Sequence, residues 1–403
     1  MAQRRRRLLA FVGGVAVALI LGAAFIAWLY TAGPYRSVTF NRSALAAAAP
    51  NALDPGSGAP IVTLEAWQAR RREIAETLAA EIYGPMPGDA RAEVIARTPI
   101  PAADIGGVEG AEQIEIEAAG ARFHVVLVMP TGARPKPVVV MQNFCGNRAA
   151  FPGRPRAIAP PRHAYPFPCQ SGFFDPIHRA VFGEWMLGPP FERIAARGYA
   201  LAMFYGGDVV PDFAPEAPPA LAALDAEGAI AAWAWTQARV VDVVAADPRI
   251  DQDRIVAWGQ SRFGKVALLA GALDLRIDAV VALQSGRGGD ALTAHRSGES
   301  VAAITRAYPH WFSPRFRRYA SADPAVDQHE LLALIAPRPL LTGHAARDGW
   351  ADPGGAYQAM VGARAAFDLT DGPPPRFYLR PGTHSITDED WRRTLDFLDD
   401  SLR

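Results

Sequence analysis

From residue 120 onward, short apolar runs alternate with longer stretches in which apolar residues recur every three to four positions. Strand length fits the runs at 123–129, 138–142, 199–204, 254–258, 279–283, 339–342 and 376–379, which are apolar almost throughout rather than on alternate residues. Helical periodicity covers 227–246, 262–273, 355–367 and 389–402, and an earlier helix is expected over 64–82, stopped by Gly84 and Pro85. Strands buried on both faces and separated by helices predict a mainly parallel central sheet with helices on both sides, an α/β fold. Two stretches break the rhythm, 144–197 and 285–329. Both are long enough to wall the carboxyl ends of the strands, where open α/β sheets bind ligands.

The chain opens on a different pattern. Arg4, Arg5, Arg6 and Arg7 precede 23 residues, 8–30, without a charge. As a helix that length spans about 30 Å of hydrocarbon, whereas the apolar part of a cleavable signal peptide is only about 7–15 residues long. One N-terminal transmembrane helix, an uncleaved signal anchor over 1–33, is therefore expected, with the arginines inside and the rest exported to the periplasm or cell surface. Trp28 and Tyr30 fall where interfacial aromatics belong. Residues 34–60 are small and turn-rich, which predicts a flexible tether before a catalytic domain over 61–403.

Composition narrows the function. Half of the 403 residues are hydrophobic, so a large core is available. Lys plus Arg and Asp plus Glu both number 41, which leaves no net field to attract a polyanion, and no nucleic-acid partner is expected. Two cysteines, Cys145 and Cys169, are too few for a disulfide scaffold and lack zinc spacing; they form one bridge or none. His329-Glu330 begins like a zinc-protease helix, but Ala333 stands where the second histidine belongs. The run 286–289 is glycine-rich without the spacing of a nucleotide loop. No metal and no organic cofactor is expected, and a monomer is.

Chemistry concentrates at Gly259-Gln-Ser261-Arg262-Phe-Gly264-Lys265, where a strand turns into a helix with Ser261 at the apex. This is the layout of a nucleophile elbow, in which a strained turn lifts the hydroxyl above the sheet and the helix N-terminus points N–H groups at the reacting oxygen. The second glycine comes one position later than in G-x-S-x-G, and Ser261 could equally cap the helix. Two partners follow in α/β-hydrolase order: Asp348 after the 339–342 strand and His384 after the 376–379 strand. His384 would take the serine proton while Asp348 fixes its tautomer. His344 is a rival base, but it precedes the acid and breaks that order. Arg262 and Lys265 place two cations in the first turn, against the helix dipole; Arg262 could stabilise an oxyanion and Lys265 bind a polar substituent, unless both are merely solvated.

These residues, with Arg71-Arg72-Glu73, Asn143-Phe-Cys-Gly-Asn147, Ser285-Gly-Arg-Gly-Gly289, Gly298-Glu299-Ser300, Pro309-His-Trp-Phe312 and Trp350-Ala-Asp-Pro353, resemble the glucuronoyl esterases of carbohydrate esterase family 15. The resemblance covers about residues 66–402. It implies an α/β-hydrolase that cleaves esters of (4-O-methyl-)glucuronic acid, such as those joining xylan to lignin. It also implies the oxyanion role for Arg262, sugar contacts for Lys265 and Glu299, and sugar stacking for Trp350. A core position for Trp350 and a lid ion pair for Glu299 stay open. Fungal members carry the acid where this chain has Gln284; some bacterial members carry it at the place of Asp348, with Asp352 better suited to capping the next helix. Two rivals remain, an esterase of another acid such as an acetyl xylan esterase, and a non-catalytic carbohydrate-binding protein that has kept the fold.

Overall fold

All seven apolar runs become strands, and two further strands precede them. The computed structural model describes residues 13–402 except 16, 18, 19, 26, 30, 32, 34, 57, 58, 102–107, 109, 165–168, 170–174 and 296. Among these it builds one nine-stranded sheet in the order β1-β2-β3-β5-β4-β6-β7-β8-β9. The strands are β1 Glu93–Ile100, β2 Gly110–Ala118, β3 Ala121–Met129, β4 Lys136–Gln142, β5 Ala200–Phe204, β6 Ile250–Gln260, β7 Ala279–Leu283, β8 Leu340–Ala345 and β9 Arg376–Arg380. From β5 to β9 every neighbouring pair is parallel, while β1, β2 and β3 run antiparallel.

The two strands not anticipated are the ones with an open face. β2 alternates buried Ile114 and Ile116 with outward glutamates, and β1 exposes every residue except Ile100. A half-solvated antiparallel pair alternates instead of reading as a continuous apolar run.

Each face of the parallel sheet carries its own core. The helices Ala229–Ala245 and Arg262–Leu273 pack on one face with Trp233, Val266 and Leu269. Asp388–Ser401 and Phe191–Ala196 cover the other, where Trp391 stacks on Trp258 of β6 at 4.7 Å. The expected first helix runs Leu64–Leu78, capped by Thr63, and its last turn widens over Ala79–Tyr83 before Gly84 turns the chain at φ +83°.

Arg4 to Arg7 and Tyr30 lie outside the described residues. Positions 20–25 and 27–29 are helical, with Ile20, Leu21, Phe25 and Trp28 exposed, and among the described residues no helix is long and apolar enough to cross a membrane. The expected flexible tether needs correction. Residues 35–56 lie against the domain: Arg42–Ala47 is a helix capped by Asn41, Ala52 and Leu53 are buried, and Gln358 of the helix Pro353–Leu369 donates to the Ala48 carbonyl. Small residues make a segment look like a linker, but they also let a backbone lie flat on a helix.

Candidate active site

Ser261 follows β6 directly, with φ +56° and ψ −124°, a backbone conformation that an L-residue adopts only where its surroundings impose it. The imposition is visible on both sides. Its N–H donates to Leu283 O of β7 at 2.8 Å, and Gly264 N–H returns to its carbonyl at 3.0 Å. A Cβ on Gly259 would sit 1.9 Å from Phe263 O, and one on Gly264 would meet the Ser285 side chain at 2.8 Å. The second glycine therefore answers to the approach of the 284–289 turn, which explains its displacement by one position. The Ser261 side chain makes no capping hydrogen bond, so the capping alternative falls away.

His384 and Asp348 come from the ends of β9 and β8. His384 Nδ1 donates to Asp348 Oδ2 at 2.7 Å, and Asp348, with no exposed surface, also accepts from Ala351 N–H at 3.1 Å. Burial alone would raise this carboxyl, but the imidazole's charge and the two hydrogen bonds outweigh it and hold Asp348 below its ordinary value. With the proton on Nδ1, Nε2 is left as acceptor, and there it receives Gln260 Nε2 at 3.2 Å. Ser261, Arg262, Lys265, Glu299, Trp350 and His384 line one cavity of 310 Å³, a volume suited to a small ligand. Trp350 is 41% exposed and meets the His384 ring edge-on at 6.0 Å, so it belongs to the cavity mouth and not to the core.

The two cations differ from the solvated pair that the sequence left open. Arg262 donates to Asp212 and lies over Trp311, Phe144 and Tyr308, 5.0, 5.5 and 5.8 Å from their ring centroids. Lys265 is buried and donates to Ser285 O. Burial pushes its ammonium down to about 8 against the opposing charges of Glu299 and Asp290, with Arg262 and Arg287 adding to the fall. Burial also raises Glu299, partly offset by Lys265.

Several residues are settled by their contacts. Asp352 caps Pro353–Leu369 through Gly355 N–H and pairs with His295. His344 is fully buried in β8, bonded to Asp290 at 2.7 Å, and does not line the cavity; Asp290 raises it against the effect of burial. Cys145 and Cys169 form a disulfide in the cavity wall beside Phe144. Asp212 and Gln260 were missed. Asp212 lies eight residues beyond β5, and nothing in its spacing ties it to Arg262.

The arrangement joins a strained serine, a histidine–carboxylate pair and a fixed guanidinium in one cavity, which is the equipment for acyl transfer. A family model described as "Glucuronyl esterase, fungi" matches residues 222–370. Carbohydrate esterase MZ0003 from an unknown prokaryotic organism is 31% identical over 388 residues, 87% of this chain and 88% of that one. The solved glucuronoyl esterase from Solibacter usitatus superposes with a TM-score of 0.76 at 26% identity, covering 91% of this chain and all of its own. The chain belongs to the glucuronoyl esterases of carbohydrate esterase family 15. This glucuronoyl esterase departs from the fungal pattern at Gln284, whose side chain clamps the histidine loop: Nε2 donates to Ser385 O and Oε1 accepts from Ser385 N–H, each at 2.9 Å. The amide spans two backbone groups next to His384, a geometry that a carboxylate, lacking donors, could not satisfy.

Proposed function

We propose that the protein hydrolyses esters of glucuronic or 4-O-methylglucuronic acid through an acyl-enzyme. Ser261 attacks the C6 carbonyl carbon as His384 Nε2 takes its proton, and the Arg262 guanidinium with the backbone N–H after the serine holds the oxyanion. His384 then protonates the departing alcohol, and water repeats the sequence on the acyl group. The observation that carries the sugar reading is a buried lysine and a half-buried glutamate that line the same cavity beside the elbow, each acting on the other's charge. Two charged groups there, one buried and one half-buried, favour hydroxyl partners that a plain acyl chain does not bring. Methyl glucuronate should be turned over with a kcat/KM at least about a hundredfold above that for acetyl-xylose, since a site built for polar groups rejects ligands lacking them by large factors. A fluorophosphonate should label Ser261; no labelling would favour a non-catalytic binding protein.

The same proposal includes an extracytoplasmic site held at a membrane by residues 8–30. Support comes from the arginine block before the uncharged segment and from the exposed apolar side chains of Ile20, Leu21, Phe25 and Trp28. Protease added to intact spheroplasts should digest the catalytic domain, and full protection would refute export.

A further inference from the structure

The segment between the N-terminal helical positions and the first domain helix crosses the loop that carries Asp348. Tyr35 N–H closes on Leu29 O at 2.9 Å, and three residues later Val38 N–H donates to Ala346 O at 3.0 Å. Three residues reach at most about 11 Å, so the helix end stands beside the acid loop. Ala346 N–H is held by Arg380 O and Arg347 N–H by Gly382 O, each at 2.8 Å, which ties that loop to the one bearing His384. On its other side the acid loop rests on Val38. Phe40 then stacks on Phe377 of β9 at 5.7 Å and 8°, and meets Tyr357 edge-on at 5.4 Å. Phe377 in turn stacks on His344 of β8 at 5.6 Å. β9 is the last strand of the sheet, so this aromatic group closes the face at the end where β8 and β9 deliver Asp348 and His384.

We propose that residues 35–48 form a strap that positions the catalytic acid, with Val38 holding the acid loop and Phe40 the adjoining strand β9. Loops open locally at lower free energy than the core strands they join. A misplacement of about 1 Å in a catalytic constellation can cost about a hundredfold in rate. A hydrogen bond two residues before the acid and an aromatic stack on the adjoining strands restrain that displacement without touching substrate. The strap is also the continuation of the N-terminal helix, so the orientation of that helix and the placement of the acid share one short piece of chain.

The inference rests on Asp348 being the acid of the proposed triad, which the Asp348→Asn chain tests by itself. All variants are made in the full chain and assayed on methyl glucuronate. Phe40→Ala is expected to lower kcat about tenfold with KM within about twofold, because positioning and not ground-state binding is lost. Phe40→Tyr, which keeps the ring, should restore it. Val38→Pro removes the N–H and leaves the aromatic stack, and should lower kcat in the same way; it serves where Phe40→Ala fails to fold. In the Asp348→Asn background, either strap change should cost less than about a further twofold, since its target is already gone. Equal losses in the two backgrounds, or full kcat in both strap variants, would overturn the strap. An Asp348→Asn chain with undiminished kcat would instead overturn the triad.

Discussion

The guanidinium of Arg262 is held by the carboxylate of Asp212, which also accepts from Trp311 Nε1 at 2.8 Å and from His310 Nε2 at 3.1 Å. Burial would raise Asp212, but the Arg262 charge and the hydrogen bonds from His310 and Trp311 keep it below its ordinary value. The carboxylate stays ionised and the arginine stays aimed. A donor fixed before the reaction needs no reorganisation as the oxyanion forms, which is where such groups gain their effect.

Arg262→Ala should therefore lower kcat and kcat/KM together by about 10²–10³. Asp212→Asn should fall in the same pattern by a smaller factor, and should add little once Arg262 is alanine. Steady-state kinetics on the four chains of this cycle checks it; additive losses would assign Asp212 a structural role separate from Arg262.

Asp348→Asn is expected to reduce the acylation rate at least about a hundredfold, given about 10⁴ for the corresponding change in a serine protease. Gln284→Ala should cost less activity but measurable stability, because it strands the buried N–H of Ser385 at about 1–3 kcal/mol, while the Ser385 carbonyl keeps its hydrogen bond from Arg380. Stopped-flow acylation and thermal unfolding of both variants decide the order.

Lys265, down to about 8 from 10.5, should lose its charge in the folded enzyme as pH passes about 8. kcat/KM for a glucuronate ester should decline above that pH, while an aryl acetate that offers Lys265 no partner should show no such limb. Lys265→Ala should raise KM for the uronate ester only and abolish the difference between the two profiles. Stability follows the opposite sense. Between about 8 and 10.5 the unfolded chain binds the proton that the native one has released, so this residue makes stability rise with pH across that window.

Reducing the Cys145–Cys169 bridge frees a wall of the cavity across a sequence separation of 24 residues. Loop closure of that size stabilises by about 3 kcal/mol. Dithiothreitol, or Cys145→Ser with Cys169→Ser, should lower the melting temperature and speed proteolytic cleavage within 146–168. An unchanged melting temperature would show that the loop is held without the bridge.

Much of the architecture could be read from residues alone because its causes are local. Apolar runs made β3 through β9 legible because the inner strands are buried on both faces, and a turn that forces Ser261 to φ +56° needs Gly259 beside it in sequence. The chain order of Ser261, Asp348 and His384 follows from strand connectivity, which is also written in the apolar pattern. The strand β2 escaped because one of its faces is wet and its alternation is weaker evidence than a continuous run, and β1 because all of it but Ile100 is exposed. Asp212 against Arg262, Gln284 across Ser385, and Phe40 on Phe377 join positions 50, 101 and 337 residues apart. No period or spacing encodes such pairs. They exist because the sheet brings distant segments together, where a buried charge, a buried amide and a half-buried ring each find the partner that lowers their free energy.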